Sequence, residues 1–497
     1  MMIGHKKCFV FVCLLVCNVV LFAQTPAVVP LDYNPALRVR KPTMLKSSVT
    51  VDTVSLPFFD DFSYFWDSEY MNKPDKRLWI DEYVYINNHY PVQPRSNGVA
   101  TFDALDANGN IYRNSSATFP ADTLTSCPID LAEEGIRNVY LSFFYQPQGN
   151  GDSPESGDSL ILQFKEQIKL IDNDSVTYRW NNVWSTPGTT LHPFKQVLKQ
   201  VDDKYFYKGF QFRFVNFVSL EQDRFNLGKK GDADHWHIDY VYMNGNRSAT
   251  DTAYHDMTII APMKSLIRGY QSIPWNQLQF ASANRIDGMI EMIYFNNNNT
   301  ELAVTGIFEI TDLYNNITNS VVQPGSNDIK AGEVFSFRQN IPNNIFESIS
   351  VDSALFELKG YMRTDEIDRK VNDTVRYYQF FKDYFARDDG APESGYGFSG
   401  YNAQGCAVAC RYETLMPDNL KAVMMYFNPT DNNVSAQYRF RIAVWRDDSG
   451  RPGEMIYLSS AEYRPEKTGQ FTLFELEREV FVTRNYWIGW VQVTSGF

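Results

Sequence analysis

Residues 209–217 read GFQFRFVNF, and the alternation within this stretch decides the fold. Phe210, Phe212 and Phe214 point to one side of an extended chain, and the polar residues between them point to the other. A period of two is typical of a strand with one buried face. Comparable runs recur about every ten residues between turn-forming Asn, Asp, Gly and Pro, which predicts a β-sandwich or barrel. These runs include VYLSFFYQ (139–146), SLILQF (159–164) and HIDYVYM (237–243).

The composition agrees with an all-β protein of several domains. Aromatic residues make up 15% of the 497 residues and hydrophobic residues 44%, so sizeable cores can form. Aromatic side chains suit the pleated surface of a sheet, and this length corresponds to roughly three domains. The formal net charge is -13 without a basic stripe, so we expect no nucleic-acid partner.

The N-terminus predicts export. Lys6 and Lys7 precede an apolar run that ends at Phe22, which has the length of a signal-peptide core and is short for a membrane span. We expect residues 1–23 to be a signal peptide and residues 24–55, rich in Pro and Val, to be an extended linker. No later stretch is long and apolar enough to span a bilayer. The mature protein is therefore expected at the cell surface, associated with the outer membrane, or outside the cell.

The remaining chain divides into three blocks of strand-like runs. We expect residues 56–247 to form a jelly roll, 248–375 an immunoglobulin-like sandwich, and 376–497 a jelly-roll-like sandwich, giving tandem β-sandwiches. The sequence stops at Phe497, directly after a strong strand-like run, so we expect the third sandwich to be truncated. Three cysteines follow the signal and cannot all pair, so we expect free thiols: Cys127, Cys406 and Cys410.

Eight segments, in this order along the chain, carry a resemblance: LPFFDDFS (56–63), SNGVATFDALDANG (96–109), SCPIDL (126–131), LSFFYQPQGNGDSPESGDSLILQF (141–164), DHWHIDYVYM (234–243), ARDDGAPESGYGF (386–398), RFRIAVWRDDSGRPGEMIY (439–457) and YWIGWVQ (486–492). Together they resemble a family of exported multi-domain proteins of the Bacteroidetes. The first block resembles their MAM-like jelly-roll domain, and the third block resembles their C-terminal β-sandwich. This resemblance implies an association with the type IX secretion pathway, as cargo or as an accessory component.

The resemblance also implies a structural calcium ion, because jelly rolls of this type often bind one where the first and last strands meet. Calcium takes about six to eight oxygen ligands. Asp60 and Asp61 lie near the start of the block, Asp239 lies near its end, and Asp103 and Asp106 lie in a Gly- and Asn-rich segment between. The alternative is that these acids are solvated turn residues. No other cofactor is expected.

Two histidines in DHWHIDYVYM raise the question of a zinc site. His235 and His237 share one face of a strand, and two such histidines can bind zinc. A catalytic zinc needs a third protein ligand, and no other histidine lies in a motif that suggests one. We therefore expect a central strand of the first sandwich, with Trp236, Ile238 and Tyr240 buried together.

Catalysis has little support in the sequence. There is no nucleophile elbow, phosphate loop or HExxH helix. Glu155 and Asp158 in PESGD could form a glycosidase-like carboxylate pair, although a loop rich in Gly, Ser and Pro is more often solvated. Four tryptophans could stack on sugars or belong to the core: Trp66, Trp79, Trp180 and Trp184.

These observations favour a non-catalytic protein of the Bacteroidetes envelope with an interaction or structural role. Its expected partner is an envelope or secretion-system protein, or a surface glycan. The alternatives are a carbohydrate-binding accessory protein and, third, an unrecognised hydrolase. Exposed tryptophans in a row would favour the second class, and a cleft with converging acids of raised pKa would favour the third.

Overall fold

Strands account for 51% of the protein and helix for 3%, so the all-β prediction is confirmed. The predicted signal peptide lies outside the residues that the structure describes, and no helix among the described residues is long and apolar enough to cross a membrane. The structure is a computed structural model. It describes residues 25–29, 53–64, 72–113, 115–170, 175–220, 232–252, 254–281, 285–322, 325–342, 344–364, 369–390, 395–399, 403–427, 438–465 and 470–494.

The first sandwich follows β1 and consists of β2 to β13, joined by antiparallel ladders. One sheet has the order β10-β7-β13-β4-β3, with β2 also paired to β13. The facing sheet has the order β5-β12-β8-β9, and β6 pairs with β11. The bounds are β1 (Thr25–Val29), β2 (Phe58–Asp60), β3 (Tyr85–Asn87), β4 (Val99–Phe102), β5 (Phe119–Thr125), β6 (Ile129–Asp130), β7 (Tyr140–Pro147), β8 (Ser159–Lys169), β9 (Val176–Pro187), β10 (Lys195–Gln200), β11 (Lys208–Phe210), β12 (Phe212–Val218) and β13 (Trp236–Asn244).

The alternation in GFQFRFVNF places its phenylalanines as predicted. Phe210, Phe212 and Phe214 are fully buried in the core between the two sheets. Gln211, on the other face, is also largely buried, and its Nε2 donates a hydrogen bond to the carbonyl of Ser126 at 2.7 Å. The period of two therefore correctly predicts which side chains enter the core. On the opposite face, Gln211 is buried because it packs and hydrogen-bonds against the segment that contains Ser126.

Strand β13 departs from regular alternation at Tyr240. This residue has a φ of +54°, and the pairing of β13 with β7 shifts between Asp239 and Tyr242. Such a bulge inserts one residue and reverses the phase of the strand beyond it. Trp236 and Ile238 enter the main core as predicted, but Tyr240 lies in a separate cluster on the outer side of the sheet. The expectation that all three share one core is therefore wrong for Tyr240.

The second sandwich extends further along the chain than predicted. Its sheets have the orders β14-β15-β19 and β17-β16-β20-β21, with β18 beside β16. The predicted boundary at residue 375 falls inside β21, which pairs along its length with β20, so this sandwich continues to Phe381. The bounds are β14 (Met257–Ile259), α1 (Trp275–Ala281), β15 (Met289–Asn296), β16 (Leu302–Asp312), β17 (Ile317–Val322), β18 (Asn327–Ile329), β19 (Val334–Asn340), β20 (Ala354–Thr364) and β21 (Thr374–Phe381).

The third sandwich has a smaller core around Phe440, Ile442 and Ile488. Its sheets have the orders β23-β28-β25-β26 and β24-β27. Strand β22 pairs antiparallel with β1, so the predicted linker contains a strand that pairs with a segment at the start of the third block. The bounds are β22 (Gly395–Ser399), β23 (Ala407–Glu413), β24 (Asp418–Tyr426), β25 (Phe440–Asp448), β26 (Arg451–Leu458), β27 (Phe471–Val482) and β28 (Asn485–Gln492). None of the three cysteines after the predicted signal forms a disulfide, as expected.

Candidate functional site

His237, the second residue of β13, is fully buried with both ring nitrogens engaged. Its Nδ1 lies 2.9 Å from the hydroxyl of Thr101, and its Nε2 lies 3.2 Å from the carbonyl oxygen of Gln148. Burial lowers the pKa of His237 to about 3, and the adjacent His235 lowers it as well. The ring is therefore neutral at physiological pH and donates from Nε2 to the carbonyl. Neither nitrogen is available to a metal.

His235 belongs to a second buried network. Its Nδ1 accepts the backbone N–H of Asp152 at 3.0 Å, and its Nε2 lies 2.8 Å from a carboxylate oxygen of Asp232. The ring stacks on Tyr90 with centroids 4.7 Å apart, and the Tyr90 hydroxyl donates to the same carboxylate. Burial lowers the pKa of His235, but Asp232 outweighs burial and the net pKa is raised. Asp232 therefore fixes the orientation of this ring and the tautomer that carries its proton on Nε2.

The glycines of QGNGD, residues 148–152, allow this close packing. A Cβ on Gly149, whose φ is +60°, would lie 2.4 Å from Nε2 of His237. A Cβ on Gly151 would lie 2.6 Å from the ring of His235. A Cβ essentially never comes this close to a heavy atom that it is not bonded to. The turn after β7 therefore accommodates the two rings in these positions only with glycine.

Three carboxylates meet beyond this turn. Glu155 and Asp158 of PESGD converge with Asp234, and the three residues offer carboxylate oxygens within 4.8 Å of one another. The side chains of Asp158 and Asp234 are each 1% exposed. Ser219 joins them, because its hydroxyl donates to Asp158 at 2.8 Å and its backbone N–H donates to Asp234 at 3.1 Å. The sequence singled out the first two acids and missed Asp234, whose only signal was its place directly before a buried strand.

Burial and mutual repulsion determine the charge of this acidic cluster. Burial, followed by the charge of Asp158, raises the pKa of Asp234 to about 10. Burial raises the pKa of Asp158 to about 6. Grouped carboxylate oxygens are the ligands that calcium prefers, and a bound cation would keep all three ionised. Asp158 and Asp234, each 1% exposed, are shielded from a substrate, whereas Glu155 is half-buried.

Asp61 and Asp239, two of the five predicted calcium ligands, are linked through Ser96. The hydroxyl of Ser96 lies 2.6 Å from the carbonyl oxygen of Asp61 and 2.9 Å from Oδ1 of Asp239. Oδ2 of Asp239 accepts the backbone N–H groups of Arg95 at 2.8 Å and Ser96 at 3.2 Å. Burial raises the pKa of Asp239 to about 8 and also raises that of Asp61.

Residues of the second sandwich complete this group. The side-chain amide of Asn372 donates to Asp61 at 2.6 Å and to Asp256 at 2.9 Å. Asp256 also accepts the hydroxyl of Tyr240, the residue that the bulge turns outward. Asp256 and Asn372 are each 2% exposed. The Asp61–Asp239 group is therefore a buried junction between the first and second sandwiches. No local sequence pattern points to Asp256 or Asn372 as members of it.

The other three predicted ligands have separate partners. Asp60 faces the core, where it accepts the indole N–H of Trp79 at 2.6 Å, and burial raises its pKa to about 7. Asp103 accepts the backbone N–H of Leu105 at 3.1 Å. Asp106 accepts backbone N–H groups at positions 108 and 110, which is the turn role named as the alternative. The partners named here differ from those of Asp61 and Asp239, and calcium remains a prediction for that pair.

Comparisons with known proteins add little to this geometry. No protein-family model and no curated protein matches the chain. A β-glucuronidase of Bacteroides uniformis is 13% identical over 59% of this chain and 30% of its own, with a TM-score of 0.23. A putative β-galactosidase of Bacteroides fragilis is 12% identical over 52% of this chain and 32% of its own, with a TM-score of 0.22.

A tandem CBM22 structure from Paenibacillus barcinonensis Xyn10C is 9% identical over 67% of this chain and 99% of its own, with a TM-score of 0.22. The chain thus spans about a third of the length of the glycosidase structures that it matches. TM-scores this low do not bear on what this chain binds or catalyses.

Proposed function

We propose that this chain is a non-catalytic, exported protein of the bacterial envelope, with a structural or interaction role. One observation carries the proposal: apart from the half-buried Glu155, the acids and histidines of the candidate site are enclosed in the scaffold. His235, His237, Asp158 and Asp234 are exposed by 1% or less. An acid or base must reach the proton that it transfers, directly or through one water. These side chains instead connect the turn after β7 to the strand that closes the sandwich.

A hydrolysis assay tests the absence of catalysis. Purified protein is incubated with a panel of nitrophenyl glycosides and esters, beside the double variant Asp158→Asn, Asp234→Asn. We expect no turnover above buffer for either protein. Turnover by the native protein that is lost in a variant with an unchanged circular dichroism spectrum would contradict the proposal and favour the hydrolase class.

Export and surface exposure are tested in cells of the source organism. The N-terminal signal pattern supports cleavage near Gln24, and a membrane-impermeant biotin reagent should label the mature chain. We expect the labelled form to begin near Gln24. A chain that retains Met1 and resists labelling in intact cells would overturn this part of the proposal. Labelled partners that co-purify with the chain would then identify the envelope or secretion-system component that it contacts.

The carbohydrate-binding alternative gains no support from the tryptophans that suggested it. Trp79 is 1% exposed and hydrogen-bonded in the core, and Trp184 packs edge-on against Phe143. Trp180 is only partly exposed and lies under the guanidinium of Arg213, 4.3 Å from the ring centroid. Trp66 lies outside the described residues. The described part of the first sandwich therefore has no row of exposed tryptophans from this set.

A further inference from the structure

A cavity of about 160 Å³ opens at the seam between the second and third sandwiches. One wall comes from the second sandwich and the segment that follows it, and the other from strand β23 and the start of β28. Four arginines and two tyrosines contribute to its lining. The complete lining is Arg268, Gly269, Tyr270, Arg285, Arg387, Arg411, Tyr412, Glu413 and Asn485.

Buried contacts hold the two walls in register. The hydroxyl of Tyr270 accepts the backbone N–H of Glu413 at 2.9 Å. Gln277, which is fully buried in α1, accepts the backbone N–H of Leu415 at 2.9 Å and donates to Asp418 at 2.6 Å. Because these bonds join both sandwiches beside the cavity, its shape is largely formed before any ligand arrives, which lowers the entropic cost of binding.

Three of the four arginines have carboxylate partners. Arg268 pairs with Asp287 at 2.9 Å and Arg285 pairs with Glu413 at 2.6 Å. Arg411 lies 3.4 Å from Asp447, which is a looser pair, and its side chain is 45% exposed. A nearby carboxylate therefore balances the charge of each of these three arginines.

Arg387 has no carboxylate partner among the described residues. Its guanidinium lies 4.6 Å from the ring centroid of Tyr270 and 5.4 Å from that of Tyr412. The neighbouring Asp388 accepts the backbone N–H of Gly390. Nη2 of Arg387 donates a long hydrogen bond to the Tyr270 hydroxyl at 3.5 Å. A guanidinium stacked on aromatic faces keeps the other N–H groups at its edge available for hydrogen bonds. The cavity thus holds one uncompensated positive charge on a side chain that tyrosine rings orient.

The chemistry of this lining selects an oxyanion. Arginine presents planar pairs of donors that match carboxylate, sulfate and phosphate oxygens, and such charge-assisted bonds are stronger than neutral ones. Oδ1 of Asn485 is buried and accepts no hydrogen bond among the described residues, so turning this amide over offers a further donor. The volume is below the range of about 300–1,000 Å³ typical of drug-sized ligands, so the site accepts one small group.

We propose that the seam between the second and third sandwiches binds one oxyanion group, a carboxylate, sulfate or phosphate, of a small ligand or of the end of a larger one. Arg387 supplies the unmatched charge, and Tyr270 and Tyr412 form the flat wall behind it. The proposal goes beyond the structural role of the chain and does not depend on its export.

Isothermal titration of the full-length mature chain at low ionic strength tests the site. The probes are sodium sulfate, inorganic phosphate and glucuronate, with glucose as the uncharged comparison. We expect saturable binding of at least one anion, none of glucose, and weakening as salt is raised. Tighter binding of glucuronate would indicate a carboxylate ligand. Tighter binding of sulfate or phosphate would indicate a ligand that carries a sulfate or phosphate ester group.

Arg387→Gln is the decisive variant, because it removes the free charge without breaking an ion pair. We expect at least about tenfold weaker binding, as loss of a charge-assisted bond predicts. Arg478→Gln is the matched control: Arg478 is exposed and stacks on Tyr457 at 5.4 Å away from the cavity lining, so binding should not change. Equal binding by native protein and Arg387→Gln, or no saturable anion binding by the native protein, would overturn the proposal.

Discussion

Trp236 is the largest fully buried side chain of β13, and its indole N–H has no hydrogen-bond partner among the described residues. Its contribution to stability is therefore packing alone. Trp236→Ala should lower the free energy of unfolding of the first sandwich by about 3–5 kcal/mol, since a large cavity remains. Trp236→Phe should cost only about 1–2 kcal/mol, because no hydrogen bond is lost. Urea unfolding monitored by circular dichroism measures the free energy lost by each variant. If Trp236→Phe lost as much free energy of unfolding as Trp236→Ala, packing alone would not account for the contribution of Trp236.

Gly151 has a role at the residue scale that its neighbour Gly157 does not share. An added Cβ at Gly151 would lie 2.6 Å from the ring of His235, whereas one at Gly157 meets nothing within 4 Å. We expect Gly151→Ala to destabilise the first sandwich by about 1–3 kcal/mol through overpacking. Gly157→Ala, in the same loop, is the control and should be close to neutral. Thermal unfolding compares the two, and similar melting temperatures would mean that His235 moves aside at no cost.

At the scale of elements, the acidic cluster links the loop before β8 to the start of β13 and should make stability depend on pH. The pKa of Asp234 is raised to about 10, and that of Asp158 to about 6, above the unfolded value of 3.8. The folded state therefore binds more protons than the unfolded state above pH 4. Stability is present at low pH and is lost as pH rises towards the folded pKa values, by up to about 1.4 kcal/mol per pH unit for one proton.

Asp234→Asn should flatten this dependence and stabilise the chain near pH 8 in the presence of a chelator. Urea unfolding from pH 5 to pH 9 provides the measurement, with Asp130→Asn as a control in the same sandwich, since Asp130 lies outside the cluster. A native protein whose stability does not fall over this interval would show that another charge, such as a bound cation, already balances the carboxylates. Adding calcium to the native protein and to Asp234→Asn distinguishes that case.

The sequence predicted which segments form strands and which of their side chains are buried better than it predicted bulges and domain boundaries. Phe210, Phe212 and Phe214 enter the core because a period of two leaves a strand no other way to bury them. The bulge at Tyr240 was not predictable, because nothing in HIDYVYM requires a positive φ at that position. The boundary at 375 was wrong because Asn372 and Asp373 mark a turn, and a turn between paired strands has the same sequence signal as a turn between domains.

The candidate sites were predictable only within the first sandwich. Asp61 and Asp239 are linked through Ser96 because β2, which ends before Asp61, pairs with β13. Asn372 reaches them from the second sandwich, 311 residues beyond Asp61 in sequence. Contacts at such separation depend on how whole sandwiches dock, and this is set by surfaces that no local pattern describes.

At the scale of the whole molecule, the first two sandwiches are joined by a buried junction. The Arg95 guanidinium lies 4.8 Å from the ring centroid of Phe144 in the first sandwich and 4.6 Å from that of Phe295 in the second. The hydroxyl of Thr258 donates to the carbonyl of Arg95 at 2.7 Å. With the Asn372 bonds, these contacts should make the two sandwiches unfold as one cooperative unit.

Arg95→Ala should weaken that coupling, because it removes the cation between the two rings and leaves a gap at the junction. We expect differential scanning calorimetry to resolve a single transition of the native protein into two, with the melting temperature of at least one sandwich lowered by several degrees. Arg363→Ala is the matched control, since Arg363 stacks on Tyr361 at 5.7 Å on an exposed face of the second sandwich. If Arg95→Ala and Arg363→Ala both keep one transition at the native temperature, the sandwiches fold independently and the junction contributes orientation without cooperativity.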